Sequence, residues 1–322
     1  MMQIGLIGIS AGAAAALLFA SVTSGTLFSI PLFYLASLPI MIAGLGWSHW
    51  SALVGAVAAA AALGLFFGNT FLLAFLAGAG LPAWWLSYLT MLARPAASGG
   101  NGAGPVALEW YPPGRLVVWA SVLGAVVVLV AILNFGADVD SFRAGLHSAL
   151  ARMLGVVADA DGKPPSKNAV ELVDFLVVAI PPAAAVLATV TNVINLWLAA
   201  RVVKFSGRLT RPWPQLSEMT FPPMFGATLG AAVILSFVGG MPGILAGVLA
   251  ASLVMGYGVL GFAVLHSITQ GIASRGFLLA GVYISVVVFG WPVLVLCLLG
   301  IIETIINLRA RAARKRGPPA RL

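Results

Sequence analysis

Six polar side chains sit inside long apolar runs of this sequence: Asn192, Asn195, His266, Gln270, Glu303 and Asn307. Their spacing is helical. His266 and Gln270 are four residues apart, as are Glu303 and Asn307, so each pair shares a helix face, and Thr189, Asn192 and Asn195 follow one another at intervals of three. An imidazole in an apolar helix can change protonation near neutral pH. A carboxylate there can hold a proton or a cation, and neighbouring amides can read a polar solute through hydrogen bonds. Each group also has a plainer use. The histidine and the asparagines can bond neighbouring helices, because an unpaired amide in hydrocarbon is costly. Glu303 lies six residues before Arg309, about 9 Å along a helix, near enough to pair with a basic side chain or reach the interface.

Other chemistry is poorly supplied. There are three histidines and one cysteine, and neither an HExxH nor a Walker sequence occurs. Intramembrane proteolysis and ATP-driven pumping therefore lack their parts, and no enzymatic role is expected. Cys297 lies in an apolar run and reads as a packing residue. No cofactor or metal is expected. Asp159 and Asp161 resemble the start of a calcium loop whose other ligand positions are missing, and the glycines of 93–114 do not lead into a phosphate-binding Lys-Ser/Thr.

The elements that must position the six residues follow from composition. Of 322 residues, 61% are hydrophobic and only 8% charged, with mean hydropathy +1.06. Soluble domains carry about 25% charged residues, so this chain is an integral membrane protein solvated by lipid. Apolar runs fall near 4–20, 28–45, 50–67, 69–92, 115–135, 172–200, 224–238, 242–269, 276–290 and 292–308. Their lengths indicate helices, not barrel strands. The expected fold is an all-α polytopic bundle of about eight to ten membrane helices, with one amphipathic helix outside it. No Lys or Arg precedes the first run, so it reads as a retained span and not as a signal peptide.

Gly8, Gly12, Ala16 and Ala20 recur every four residues. They give the first run a small-residue face that can pack inside the bundle or receive a partner subunit. Pro31 and Pro39 imply a bent or broken second span. Residues 93–114 read as a flexible cytoplasmic linker without periodicity. Between 136 and 171, Val139, Phe142, Leu146, Leu150, Met153 and Val157 recur every three or four positions, which predicts an amphipathic helix lying flat or capping the bundle.

Charge sets the expected orientation. If all ten runs cross and the N-terminus is cytoplasmic, 13 of the 17 cations fall inside, as the positive-inside rule requires. The break at Phe289-Gly290-Trp291-Pro292 favours a hairpin over one long helix across 276–308, and keeps the basic 309–322 tail cytoplasmic. That tail reads as an anchor to anionic headgroups. Nothing in it resembles a nucleic-acid-binding fold, and no nucleic-acid partner is expected.

The motifs NLWLAARVVKFSGR, PWPQLSEMTFPP, GYGVLGFAVLHSITQG and LGIIETIINLRAR resemble the YybS-like family of bacterial polytopic membrane proteins, most clearly from about 190 to 311. That family's ending usually carries a second acidic residue where this chain has Asn307. The resemblance implies a bacterial cytoplasmic membrane but no established activity. More distantly, the organisation looks like the substrate-capture subunits of energy-coupling-factor transporters. These bind small molecules and dock on a partner through small-residue faces. The expected function is solute binding or transport, with the six polar residues as the substrate site and lipid as the solvent. The alternative is a non-transporting scaffold or regulatory subunit of an envelope complex.

Overall fold

The computed structural model of the chain describes residues 2–96, 108–136, 138–156 and 166–316. Lipid offers the backbone no hydrogen bonds, so a spanning segment must satisfy its own amides as a helix. Seven helical stretches among the described residues are long and apolar enough to cross a membrane: Met2–Ser24, Ser29–Gly46, His49–Phe67, Asn69–Thr90, Pro113–Phe135, Lys167–Phe205 and Gly240–Ile268. Three shorter apolar helices, Pro223–Ser236, Arg275–Phe289 and Pro292–Ile306, complete the all-α bundle. The chain is a multi-pass membrane protein.

The first span is built on helix α1 (Met2–Ala20). The second is broken into α2 (Ser29–Tyr34) and α3 (Leu38–Gly46). Proline explains the break: Pro39 lies in the first turn of α3, where a missing N–H costs nothing. Helix α4 (His49–Phe67) starts at Ser48, whose hydroxyl accepts from the Trp50 amide. The fourth span runs through α5 (Asn69–Phe75), a wide turn at Leu76–Gly80, and α6 (Leu81–Thr90). There follow α7 (Pro113–Phe135), the amphipathic α8 (Val139–Met153) and α9 (Lys167–Phe205). At 39 residues, α9 is about 58 Å long and outreaches the hydrocarbon core. The chain closes with α10 (Pro223–Ser236), α11 (Gly240–Ile268), α12 (Arg275–Phe289), α13 (Pro292–Ile306) and the basic α14 (Leu308–Arg316).

Contacts between loops show that one end of the bundle gathers the basic segments. Gly8 packs beside Ser51 and Gly12 beside Gly55, so α1 and α4 run parallel and the chain start lies at the His49 end. There Arg208 covers Trp47, Arg211 bonds the carbonyls of Thr90 and Tyr111, and Arg309 bonds the Met219 carbonyl. Helix α8 caps the opposite end. Phe142, Leu146 and Leu150 bury into a cluster with Val128 and Ile132 of α7 and Val173 and Val177 of α9, while Met153 is exposed.

Three features refine the sequence reading. The small-residue face of α1 is occupied: a Cβ at Gly8 would lie 2.7 Å from the Ser51 carbonyl oxygen, and one at Gly12 would lie 2.5 Å from that of Gly55. Ala15 and Ala16 are buried. At Gly8 and Gly12 the face meets α4 of the same chain, which is the in-bundle packing that the spacing allowed; Ala16 is buried and Ala20 half-buried. Second, the 93–114 segment is not uniformly irregular. Ala93–Pro95 (β1) pairs antiparallel with Leu108–Trp110 (β2), reinforced by an Arg94–Glu109 ion pair of 2.9 Å. Third, seven stretches reach spanning length by themselves, and α10, α12 and α13, of 14 or 15 residues, reach only about 22 Å. The 276–308 region is a hairpin, turned at Gly290 with φ 72°. The Asp159–Asp161 turn, residue Val157 and the tail beyond 316 lie outside the described residues.

Candidate functional site

Helix α9 carries the polar stripe through the middle of the bundle. Thr189, Asn192 and Asn195 are 0%, 4% and 1% exposed, so each must find a partner inside, and each finds a different one. The Thr189 hydroxyl lies 2.8 Å from that of Ser252 on α11, and Ser252 in turn donates to the Ser121 carbonyl of α7. Asn192 donates to the Ala120 carbonyl of α7 at 3.3 Å. Asn195 donates to the Tyr34 carbonyl at 2.7 Å and to the Ser37 hydroxyl at 2.9 Å. Tyr34 and Ser37 flank the break between α2 and α3, whose backbone cannot bond itself as a continuous helix does. The asparagine supplies what the break withholds.

The remaining candidates lie elsewhere. His266 shares a 2.8 Å hydrogen bond with Tyr283 of α12, and the Phe262 ring, one turn earlier on α11, stacks on Tyr283 with centres 5.1 Å apart. Arg275 donates to the His266 carbonyl. Helix α12 has no buried residue, so this small cluster is what fastens it to α11. Gln270 is exposed in the turn after α11. Glu303 is buried in α13, and its carboxylate takes the Arg309 side chain at 2.7 Å and the Arg309 amide at 3.1 Å. Asn307 is exposed between them in the left-handed conformation, φ 51°. This is where α13 stops and α14 begins, and asparagine tolerates that conformation better than most residues.

The six residues therefore do not meet. Two brace α9 against separate neighbours, one fastens α12, two shape the α13–α14 joint, and Gln270 faces outward. Two clefts at the basic end are lined by none of them. The first cleft, about 260 Å³, is formed by Gly44, Trp47, Ser48, His49, Tyr88 and Met91. The second, about 270 Å³, lies between Trp110, Pro112, Arg211, Trp213 and Glu218.

Sequence reasoning counted Arg211 only as one cation among several. It is 6% exposed, and its two terminal nitrogens each donate at 2.8 Å, to the Thr90 carbonyl at the end of α6 and the Tyr111 carbonyl ahead of α7. Burial pulls its pKa down, though a guanidinium stays charged. Its proline-flanked setting, Arg-Pro-Trp-Pro, was the available signal. Around it the exposed cations at the end of α9 and in the loop that follows lie against rings. Arg201 sits 5.6, 5.6 and 5.4 Å from the centres of Trp197, Phe205 and Trp213, Lys204 sits 4.8 Å from Trp213, and Arg208 sits 4.4 Å from Trp47.

Comparison with protein-family models, with curated proteins and with solved structures gives no match to this chain.

Proposed function

We propose that this protein is a non-transporting scaffold or regulatory subunit of an envelope complex, held in the bacterial cytoplasmic membrane with both termini in the cytoplasm. The observation that carries the reading is the use made of the polar side chains of α9. Thr189, Asn192 and Asn195 bond α11, α7 and the α2–α3 break respectively, so they lock four parts of the bundle together. A carrier that alternates between two shapes must break and remake such bonds across its moving halves. A fixed frame keeps them. The cytoplasmic placement rests on the basic end and the positive-inside rule. Membership of the YybS-like family belongs to the same proposal and rests on the motifs between 190 and 311.

A second reading, solute binding or transport, is favoured by two observations. The Trp47–His49–Tyr88 cleft has the room for a small ligand, and the side-chain oxygen of Asn195 is buried with no hydrogen-bond partner. One experiment separates the two. Asn192→Ala and Asn195→Ala are purified and their thermal unfolding is followed with and without a panel of vitamins, metal ions and lipids. The scaffold reading expects lower stability without ligand and no water-soluble compound whose stabilisation the variants abolish. A vitamin or metal ion that stabilises the wild type and fails on either variant, with unliganded stability unchanged, would overturn it.

A further inference from the structure

At the basic end of α9, three cations leave the helix without a carboxylate to meet them. Arg201, Lys204 and Arg208 are exposed, and none forms an ion pair among the described residues. Glu218, which lines the neighbouring cleft with Trp213, forms none with them. Aromatic rings take the place of acids. Trp213 has Arg201 and Lys204 within 5.4 Å of one indole centre, and Trp197 and Phe205, one turn before and one turn after Arg201, hold the guanidinium along the helix. Rings orient cations without neutralising them. Two like charges are therefore held in place near each other, with their donors unspent.

The surroundings tell what kind of anion fits. Ile194 and Trp197, two turns and one turn before Arg201 on the same helix, are 48% and 47% exposed, so the cations sit at the loop-side end of an exposed apolar stripe. A free phosphate would use only the cations. A phospholipid would use both, with its phosphodiester on Arg201 and Lys204 and its acyl chains along Trp197 and Ile194. Tryptophan and arginine at this depth match the headgroup region.

We propose that Arg201, Lys204 and Trp213 form a binding site for the phosphodiester headgroup of an anionic phospholipid. Arg201 supplies a planar fork to two phosphate oxygens, Lys204 adds a second positive charge, and Trp213 keeps both from folding away. The site is separate from the residues that decide between scaffold and carrier, and it needs only that this end lie at a bilayer surface.

The full chain is purified and placed in nanodiscs containing dioleoylphosphatidylglycerol and dioleoylphosphatidylcholine in equal amounts, and the lipids retained on release are counted by native mass spectrometry. Wild type should keep phosphatidylglycerol over phosphatidylcholine by about thirtyfold, in line with the attraction expected of two interfacial cations. Arg201→Gln/Lys204→Gln should lose most of that preference, and the tail control Arg311→Gln/Arg314→Gln should keep it. Lys204→Gln alone, which leaves the stacked guanidinium in place, gives an intermediate loss and serves if the double variant fails to fold. Equal retention of the two lipids by wild type would overturn the proposal, as would an undiminished preference in a folded double variant. Displacement of phosphatidylglycerol by inorganic phosphate at matched concentration would also overturn it, by assigning the cations to a soluble anion.

Discussion

Asn195 and Tyr34 are 161 positions apart in the chain and joined by a 2.7 Å hydrogen bond from the asparagine amide to the tyrosine carbonyl. That bond closes the break in the second span and ties α9 to it, beside the apolar packing of Ala199 and Val203 in the same cluster as Met41 and Leu45.

Asn195→Leu keeps the volume and removes both donors, leaving the Tyr34 carbonyl and the Ser37 hydroxyl unpaired inside the protein. The expected loss is about 2 kcal/mol of stability. It can be read as faster thiol labelling of Cys297, the single cysteine and only 4% exposed, during thermal unfolding in detergent. Unchanged labelling would place the Asn195 side chain elsewhere.

Helices α11 and α13 are in backbone contact at Gly261 and Gly300, where an added Cβ would run into the carbonyls of Leu296 and Tyr257. Gly261→Ala and Gly300→Ala should each cost about 1–3 kcal/mol through overpacking. Gly281→Ala on α12, where a Cβ would meet nothing, should be neutral within about 0.5 kcal/mol. Thermal unfolding curves for the three variants check the order.

The Glu303–Arg309 pair joins the last membrane helix to the basic helix α14, with side chains 4% and 14% exposed. Removing one member of a buried pair leaves an uncompensated charge, so Glu303→Ala should cost about 3 kcal/mol or more. Arg309→Ala in the same background should cost far less than it does in wild type. A double-mutant cycle measures that coupling, and additivity would show the two residues to be independent.

Much of this architecture was legible from composition. Lipid forces apolar length into helices, so the bundle class and the amphipathic stripe of Phe142, Leu146 and Leu150 followed from spacing alone. The partners of the polar residues were not legible. Three-residue spacing put Thr189, Asn192 and Asn195 on one face, but it could not say that the face meets three different elements 63 to 161 residues away. The small residues of α1 announced close packing without naming α4 as its object, and Arg211 looked like any other loop cation. The short strand pair around Arg94 and Glu109 was missed because three residues a side are too few to show alternation.

At the opposite end, Asp138 caps α8 by accepting from the Ser141 hydroxyl and from the amides of Ser141 and Asp140. The Ser141 hydroxyl first, and then these amides, hold its carboxyl below the ordinary aspartate range. A carboxyl whose pKa is lowered on folding stabilises above its unfolded value and loses that contribution as pH falls through the folded one. The α8 cap should therefore be fully effective at neutral pH and loosen only on the acid side of the ordinary aspartate range. Amide exchange of α8 followed from pH 7 downward should show this. Asp138→Asn should flatten the dependence while retaining most of the capping.

The central claim is that the polar residues of α9 bond helices and do not line a water-filled path. It is tested most directly by placing single cysteines at 192 and 195 in a Cys297→Ala background and treating the folded protein in membranes with a water-soluble methanethiosulfonate. Ser206→Cys, at an exposed position after α9, serves as the control that must label. The account predicts rapid modification at 206 and none at 192 or 195 until the protein is unfolded. Rapid modification at 192 or 195 in the folded state would reveal water where the account has helix contacts, and would contradict it.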